Sequence, residues 1–243
     1  MQLPNILILA GGKAERLGKV AKNLPKSLIN FYGIPFLYYQ LKSLEKSKFK
    51  KIIISTGYLS KQMELYVNSI KSKFNFKIVF SDDGKKSLGT GGAIKKALPL
   101  LSKKFFVIFG DSFLNVNYLK IYKNFLKSKK LGLITIYKNN NLSDSSGEGF
   151  SDVEINNGEI INYNKKEKNP NMKYINYGIS VFNKSLFREW KFEKRIDLQL
   201  IHQKLIKNKK LEYLIIKKPF YEIGSRKGIT LTKKYFKQIH KFI

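Results

Sequence analysis

Short apolar runs alternate with longer amphipathic stretches along the first half of the 243-residue chain. Short, mainly apolar runs at 6–9, 51–55, 77–80 and 105–109 predict buried strands, since strands of a parallel sheet are covered on both faces. Apolar residues at helical spacing predict helices over 37–45, 62–74 and 93–100. This alternation predicts a doubly wound α/β sheet.

The pattern changes beyond residue 131, where strand-like alternation replaces helical spacing. A polar loop is predicted over 139–149, and Asn156-Asn157-Gly158 has the composition of a tight hairpin turn. The other predicted elements are strands over 132–137, 151–155, 159–163, 179–182 and 213–216 and helices over 196–206 and 230–239. We therefore predict one three-layer α/β/α domain over residues 1–243, with a mixed, mainly parallel sheet of about seven strands.

Two glycines, Gly11 and Gly12, follow the first predicted strand, and a basic loop comes next. Glycine lets the backbone approach a ligand closely, and free amides backed by Arg and Lys suit phosphate oxygens. Because open α/β sheets bind ligands at the carboxyl ends of their strands, we predict a nucleotide or phosphosugar site here. The competing interpretation is a plain strand-to-loop turn with solvated basic residues.

Two common phosphate motifs are absent from this loop. A Walker A loop requires a glycine where Lys13 stands and a hydroxyl residue where Val20 stands. The dinucleotide fingerprint G-x-G-x-x-G is missing as well, because the glycines fall at positions 11, 12 and 18.

The motif A-G-G-x-x-x-R-L-G, followed by P-K-S-L nine residues after Arg16, resembles the opening of the sugar-1-phosphate nucleotidylyltransferases, or nucleoside-diphosphate-sugar pyrophosphorylases. The usual loop reads G-G-x-G-T-R, and here Ala14 and Glu15 replace its last Gly and its Thr. The resemblance implies a Rossmann-like nucleotide-diphospho-sugar transferase fold. It also implies that the loop and its Arg hold the nucleoside triphosphate and that the lysine of P-K-S-L contacts phosphate. These nucleotide-binding roles fall on Ala10, Gly11, Gly12, Lys13, Arg16 and Lys26, with Arg16 and Lys26 also catalytic.

A second glycine block, L-G-T-G-G-A-I, opens the helix predicted over 93–100. Thr90 has the side chain of a helix N-cap, and the glycines leave amides open to anions or base edges. A flexible linker before a helix is the alternative. In the family this block lies beside the nucleobase and the sugar, which implies nucleotide contact for Gly89, Thr90 and Gly91.

Asp111 follows the apolar run at 105–109, at the tip of a predicted buried strand. A carboxylate there is well placed to hold Mg²⁺ against phosphates, although it also fits a residue that caps the next turn. The family has a catalytic, metal-binding Asp at this position and a second Asp in a downstream D-[IVT]-G motif. Here the stretch F-Y-E-I-G-S carries Glu222 instead. The resemblance implies Mg²⁺ as cofactor, with Asp111 and Glu222 as ligands.

In the family, the region between the two carboxylates covers the sugar, with a lysine near the sugar phosphate and a glycine under the ring. By position Lys165 is the predicted lysine, and Lys166 is the alternative. The implied sugar-binding residues are Asp111, Lys165, Asn176, Tyr177 and Gly178. The resemblance divides the chain into a nucleotide-binding half at about 1–130, a sugar-binding half at about 131–225 and a closing helix at 226–243.

The implied reaction converts an NTP and a sugar-1-phosphate into an NDP-sugar and pyrophosphate. The blocks G-T-G-G-A-I and Y-E-I-G-S are most like the D-glycero-D-manno-heptose-1-phosphate guanylyltransferase branch. They favour GTP and a heptose- or mannose-type sugar. The alternatives are uridylyl or cytidylyl transfer to another phosphorylated acceptor, and a non-catalytic nucleotide-sugar-binding protein in which Glu222 marks lost catalysis.

The formal net charge of +30 raises the further alternative of a nucleic-acid-binding module. The basic residues are scattered along the chain, and recognition surfaces favour Arg for bidentate phosphate contacts. All the basic residues are lysines except Arg16, Arg188, Arg195 and Arg226. We therefore expect no specific nucleic-acid partner, and a positive field that gathers anionic substrates.

The chain contains no Cys, which excludes a disulfide framework and a thiolate metal site. No apolar run approaches the roughly 18 residues of a membrane span, and the N-terminus lacks the features of a signal peptide. We therefore expect a cytoplasmic protein without a membrane partner, either a monomer or a homo-oligomer. His202 and His240 are isolated, and we expect both to serve packing or the surface rather than catalysis.

Overall fold

A computed structural model describes residues 1–12, 17–18, 23–84, 87–139, 151–188 and 195–239 of the chain. In these residues a mixed sheet of nine strands is accompanied by two short two-stranded sheets. The strands are β1 Asn5–Leu9, β2 Asn30–Phe31, β3 Ile34–Pro35, β4 Lys51–Thr56, β5 Lys77–Asp82, β6 Lys104–Phe109, β7 Ser112–Phe113, β8 Gly132–Lys138, β9 Val153–Asn156, β10 Glu159–Tyr163, β11 Tyr174–Asn183, β12 Leu211–Ile216 and β13 Tyr221–Glu222. The helices are α1 Phe36–Lys46, α2 Ser60–Ile70, α3 Gly89–Ala97, α4 Tyr118–Ser128, α5 Leu198–Lys207 and α6 Arg226–Ile239.

The centre of the large sheet is a parallel block in the order β6-β1-β4-β5. Strand β11 pairs antiparallel with β6 and β8, and β12 runs parallel to β8. The hairpin β9–β10 joins β11 through the pair Tyr174 and Val153. All nine strands coincide with predicted segments, so the predicted mixed α/β/α class is confirmed. The predicted total of about seven was too low, because the hairpin extends the sheet instead of standing apart from it.

Side chains of β1 alternate between the two helix layers, as the pleat of a strand requires. Ile6 and Ile8 pack in the cluster that contains the buried faces of α1, α2 and α4. Leu7 points the other way, into the cluster built with α3 and α5. All three side chains have no exposed surface. A strand buried on both faces must be apolar throughout, which is why the N-terminal run carries no polar alternation.

A third, smaller cluster attaches α6 to the start of α1. The Phe236 ring lies stacked 4.1 Å from the Tyr39 ring centroid and 5.8 Å from that of Phe36. Phe236 itself is fully buried. This contact covers the hairpin β2–β3 side of the domain and holds the last helix beside the segment that carries Glu222.

Two local features differ from the sequence prediction. Helix α4 was not predicted, although Asn117 caps it by accepting a hydrogen bond from the Lys120 amide and its buried residues follow helical spacing. Thr90 does not cap α3, because this helix already begins at Gly89. Its hydroxyl oxygen instead accepts a hydrogen bond from the amide of Leu198, the first residue of α5, at 2.7 Å. The prediction of Thr90 as the α3 cap was therefore wrong.

The predicted hairpin turn is confirmed in detail. Asn157 and Gly158 both have positive φ angles, 46° and 76°. This is the backbone of a tight primed turn, which Asn-Gly adopts readily. None of the helices in the described part of the chain is both long and apolar enough to cross a membrane.

His202 lies in α5 and is fully buried, so the expectation of a packing role is confirmed. Its Nε2 lies 3.0 Å from the Ser180 hydroxyl, and its ring stacks on Phe182. Burial, aided by the charge of Lys165, lowers the pKa of His202 to about 3. The ring is therefore neutral in the folded protein throughout the physiological pH range.

We expect His202 to make the folded state acid-sensitive. Below pH 6.5, the ordinary pKa of His, the imidazole takes up a proton in the unfolded chain but stays neutral in the folded chain. The contribution of His202 to the free energy of unfolding is therefore complete above this pH and falls below it. Between pH 7 and pH 5 this costs about 2 kcal/mol. His202→Gln removes the titration, so urea unfolding at the two pH values should show a smaller loss of stability in the variant. Equal losses in both proteins would contradict the assignment.

Candidate active site

A cavity of about 680 Å³ opens at the carboxyl edge of the parallel block. The residues that follow β1, β4, β5 and β6 all reach it, because these strands run in the same direction and end at the same edge. Among its lining residues are Ala10, Gly11, Gly12, Lys26, Gly57, Asp83, Gly89, Thr90, Asp111 and Gly224. The cavity therefore joins both predicted glycine blocks with the predicted Lys26 and Asp111.

Lys26 and Asp111 form an ion pair, with 2.7 Å between Nζ and Oδ2. The pair depends on a second contact, in which the Ser27 hydroxyl donates to the Gly110 carbonyl at 2.7 Å. A side chain at Gly110 would collide with Ala10 and Ser27, since a Cβ there would lie 2.9 Å from both. The two segments are thus held close enough for Lys26 to reach the end of β6.

Glu222 is brought to the same place by main-chain pairing. Strand β13 pairs with β7, which sets Glu222 opposite Ser112, and the Ile223 amide donates to the Asp111 carbonyl at 2.9 Å. Gly224 marks the point of convergence. A Cβ there would lie 2.6 Å from Glu222 Oε2, 3.0 Å from Lys26 Nζ and 3.5 Å from Asp111 Oδ2.

The Glu222 carboxylate is held at the N-terminus of α6. It accepts hydrogen bonds from the Gly224 amide and from the Ser225 hydroxyl, the latter at 2.6 Å. Its Oε1 occupies the space that a side chain at Gly228 would need. An acidic group is stabilised at this end of a helix by the unpaired amides and the helix dipole. Glu222 therefore fastens the closing helix to the edge of the cavity.

Burial raises the pKa of Glu222 above its ordinary value, and the neighbouring Asp111 carboxylate raises it further. Ser225, Gly224 and Lys26 act in the opposite direction. Two carboxylates near one point supply the oxygen ligands that Mg²⁺ prefers, and Mg²⁺ usually takes one or two carboxylates together with substrate phosphates. In the described part of the chain, no cluster of three or more acidic, His or Cys side chains could hold a metal. The donor set thus fits a metal shared with a phosphorylated substrate.

The second glycine block is only partly exposed to the cavity. Gly89 and Thr90 line it, whereas Gly91 is buried and donates its amide to the Ile196 carbonyl at 2.8 Å. Gly89 has a φ of 72°, and a Cβ there would clash with the Ile196 backbone. In this structure the glycines serve the close packing of α3 against the segment before α5. The open amide expected at Gly91 is therefore occupied by the protein itself.

The predicted sugar-facing segment lies beside the cavity wall. Gly178 has a φ of 101°, and a Cβ there would touch Phe109, which lines the cavity. The Asn176 side-chain oxygen accepts the Gly178 amide, and its amide group donates to the Tyr163 hydroxyl. Tyr177 points into the core instead and donates its hydroxyl to the Pro219 carbonyl. Its side chain is buried away from solvent, so at this position only the backbone belongs to the predicted sugar-facing segment.

Lys165 reaches the same wall from the β10 end. Its Nζ lies 5.5 Å from the centroid of the Phe109 ring, within the range of a cation–π contact. Its amide donates to Gln199 on α5, which fixes the start of this loop. Lys166, which is exposed like Lys165, uses its amide in a local turn with Asn164. The contact with Phe109 places the Lys165 ammonium group at the cavity wall.

Comparison with known proteins adds the decisive observation. The chain matches the family described as nucleotidyl transferase over residues 5–230. The chain belongs to this family. The family predicted from the sequence motifs is thereby confirmed, and the protein is a nucleotidyltransferase.

Individual relatives of this nucleotidyltransferase are distant. It is 26% identical over 219 residues to D-glycero-alpha-D-manno-heptose 1-phosphate guanylyltransferase of Campylobacter jejuni, covering 90% of this chain and 93% of the relative. It is 29% identical to the catalytic subunit beta of mannose-1-phosphate guanylyltransferase of Drosophila melanogaster, where 74% of this chain spans only 48% of the relative. The crystal structure of HddC from Yersinia pseudotuberculosis complexed with GMP-PN superposes with a TM-score of 0.79 at 24% identity. That likeness covers 96% of this chain and 100% of HddC and establishes the fold.

The predicted loop residues Lys13 and Arg16 lie outside the described residues, as does His240. Conversely, three charged residues that line the cavity of this nucleotidyltransferase were not predicted: Asp83, Arg195 and Asp197. Asp83 had a usable signal, since it lies three residues after the strand predicted over 77–80 in the parallel block. Arg195 and Asp197 had none, because their position depends on how α5 docks on α3.

We expect Glu222→Asp to destabilise the fold, because the shorter side chain cannot reach both the Gly224 amide and the Ser225 hydroxyl. Loss of a helix-capping interaction costs about 1 kcal/mol. Urea unfolding should therefore show a lower free energy of unfolding for this variant. Glu159→Asp, the same change at an exposed hairpin position, serves as control and should unfold like the wild type. Equal stability of the two variants would show that Glu222 does not anchor α6.

Proposed function

We propose that this nucleotidyltransferase transfers a guanylyl group from GTP to a heptose- or mannose-type sugar-1-phosphate. The observation that carries the proposal is the convergence of Lys26, Asp111 and Glu222 on the cavity that also contains the Gly11-Gly12 loop. The names of the relatives, which are heptose- and mannose-1-phosphate guanylyltransferases, support the choice of base and sugar.

In the proposed reaction, an oxygen of the sugar phosphate attacks the α-phosphorus of GTP opposite the leaving pyrophosphate. The new P–O bond forms while the bond from the α-phosphorus to the bridging oxygen breaks, and the electron pair leaves with pyrophosphate. No covalent enzyme intermediate is needed. The protein therefore has to align two anionic substrates and neutralise the charge that develops between them.

Lys26 is suited to neutralise charge on the transferred phosphate. Its ammonium group has three N–H donors, and Asp111 accepts one of them. The remaining donors can reach phosphate oxygens in the cavity, and the lysine side chain is only 14% exposed, which strengthens its electrostatic effect. We assign the leaving pyrophosphate to Arg16, on the resemblance of its motif alone.

We assign the metal site to Asp111 and Glu222. A divalent cation such as Mg²⁺ would supply positive charge to the α-phosphate when bound. The chain's own part is to present two carboxylates at one edge and to keep Lys26 beside them. Glu222 accepts hydrogen bonds from the Gly224 amide and the Ser225 hydroxyl, and these contacts orient its carboxylate at this edge.

The sugar phosphate is assigned to the wall formed by Lys165, Asn176 and Gly178. Lys165 supplies positive charge next to Phe109, and the positive φ of Gly178 lets the backbone pass close to this ring. We place the reaction in the cytoplasm, where NTPs are available, and in the synthesis of nucleotide sugars for cell-surface polysaccharide.

The direct test is pyrophosphate release with Mg²⁺, each of the four NTPs and a panel of sugar-1-phosphates that includes heptose and mannose. Release with GTP and one of these sugars is the expected result. Release with UTP or CTP instead would keep the reaction and overturn the base assignment. Nucleotide-sugar binding without release would indicate a non-catalytic binding protein, and salt-sensitive duplex binding without release would indicate a nucleic-acid-binding module.

We expect Asp111→Asn to lower kcat/KM by about 10²- to 10³-fold, because it removes a charge that holds Lys26 and the metal in place. The fold should survive, since the side chain is 30% exposed and Asn has the same size. Thermal unfolding checks the fold, and pyrophosphate release checks the activity. Glu159→Gln, which removes an exposed carboxylate, should leave both unchanged. Normal turnover in Asp111→Asn would refute the assignment.

A further inference from the structure

Gln40 is a buried amide on the inner face of α1, and the proposed chemistry gives it no role. The residue is 2% exposed and is not among those that line the cavity. The neighbouring buried positions of the helix are apolar: Phe36, Leu37, Leu41 and Leu44. An amide in such surroundings lowers stability unless it is hydrogen-bonded. Its hydrogen-bond partners therefore show what a polar residue does at this position.

The amide group of Gln40 closes the turn that carries Asp111. Its Nε2 donates to the Phe109 carbonyl at 2.9 Å and to the Ser112 carbonyl at 2.8 Å. A primary amide has two N–H donors, so both of them are used. One side chain thus connects the end of β6 with the start of β7, across the two residues that lie between these strands.

The two carbonyls inside this turn are held by other segments. The Ser27 hydroxyl donates to the Gly110 carbonyl, and the Ile223 amide donates to the Asp111 carbonyl. Each of the four carbonyls over 109–112 therefore accepts a hydrogen bond from a segment that is distant in sequence. A peptide unit beside Asp111 cannot rotate without breaking one of these bonds, and a buried carbonyl that loses its partner is costly.

Gln40 serves this turn as a donor. Its Oε1 is buried and has no hydrogen-bond partner among the residues that the structure describes. An apolar side chain of the same length would therefore remove two donated hydrogen bonds and no accepted one. Asp111 lines the cavity whereas Gln40 does not, so any effect of Gln40 on the site has to pass through the backbone of the turn.

We propose that Gln40 is a positioning residue for the proposed nucleotidyl transfer, which holds the 109–112 turn so that the Asp111 carboxylate meets Lys26 at the cavity. The inference rests on the proposed function and adds to it a residue from outside the cavity. The Asp111 carboxylate lies 2.7 Å from Lys26 Nζ. A displacement of the turn would disturb this ion pair and the proposed metal site together.

Gln40→Met tests the proposal, because methionine has nearly the length of glutamine and lacks its donors. The kcat of pyrophosphate release should fall about 10- to 100-fold, the effect of a displacement of roughly 1 Å in a catalytic group. The KM for GTP should change less, since Gln40 bonds to the 109–112 turn rather than to the Gly11-Gly12 loop. Val67→Ala, a core substitution on α2, is the control. It should lower the Tm but keep the wild-type kcat at temperatures where it is folded.

A double-mutant cycle tests whether the effect of Gln40 passes through Asp111. In the Asp111→Asn background, Gln40→Met should change kcat by about twofold or less, because the group that Gln40 positions is already altered. An equal loss of kcat in the two backgrounds would overturn the proposal. A wild-type kcat in folded Gln40→Met would overturn it as well.

The reactivity of Lys26 separates this inference from the proposed function, because it requires no turnover. Acetic anhydride should acetylate Lys26 faster in Gln40→Met than in the wild type, and the rate should approach that of Asp111→Asn, which lacks the ion pair. Peptide mass spectrometry measures these rates, and Val67→Ala should react like the wild type. Faster acetylation together with a wild type that releases no pyrophosphate would overturn the proposed function and support the role of Gln40. Unchanged acetylation would overturn the role of Gln40, whatever the activity.

Gln40→Asn takes the place of Gln40→Met in these tests if the methionine variant does not fold. Asparagine keeps the amide group but is one methylene shorter, so it cannot reach both carbonyls. It should show a smaller loss of kcat and the same direction of change in Lys26 acetylation. If neither variant folds, Gln40 serves folding rather than the position of Asp111, and the proposal is overturned.

Discussion

The ion pair between Lys26 and Asp111 is the interaction on which the site depends. It joins residues 85 positions apart in the chain. The segments that carry the two partners are held in place by further hydrogen bonds to main-chain carbonyls. The Ser27 hydroxyl fastens the Lys26 turn to Gly110, and the Ile223 amide fastens the Glu222 strand to the Asp111 carbonyl. Three segments thus meet at the end of one buried strand. Because β6 lies in the centre of the sheet, the packing of both helix layers fixes this meeting point.

Charge is distributed unevenly between the chain and its cavity. The chain carries a formal net charge of +30, yet four carboxylates lie at or beside the cavity, on Asp83, Asp111, Asp197 and Glu222. A positive field over the surface attracts anionic substrates from solution. Carboxylates inside the cavity then supply what lysines cannot, namely ligands for a cation and acceptors for N–H groups. The two kinds of charge therefore act at different distances, the lysines at long range and the carboxylates on contact.

The closing helix connects stability with the site. Phe236 packs between Tyr39 and Phe36 in the third apolar cluster, and Glu222 holds the other end of the helix through Gly224 and Ser225. The extra methylene of Glu, compared with the Asp usual in the motif, lets the carboxylate lie over Gly228. Glu222 is therefore both a helix anchor and a metal-ligand candidate.

Local patterning determined the nine strands. Strands β1, β4 and β6 are mainly apolar because both of their faces are buried, whereas β9, β10 and β12 keep exposed positions. Patterning also determined that Asp111 follows a buried strand. Helix α4 was not predicted, but the sequence would have allowed it, because Asn117 and apolar residues at helical spacing mark this helix. Tertiary structure alone decided which way the other side chains face. Thr90 bonds to Leu198 across 108 residues, and Tyr177 turns into the core toward Pro219. These outcomes depend on how helices dock on the sheet, and residue spacing carries no information about docking.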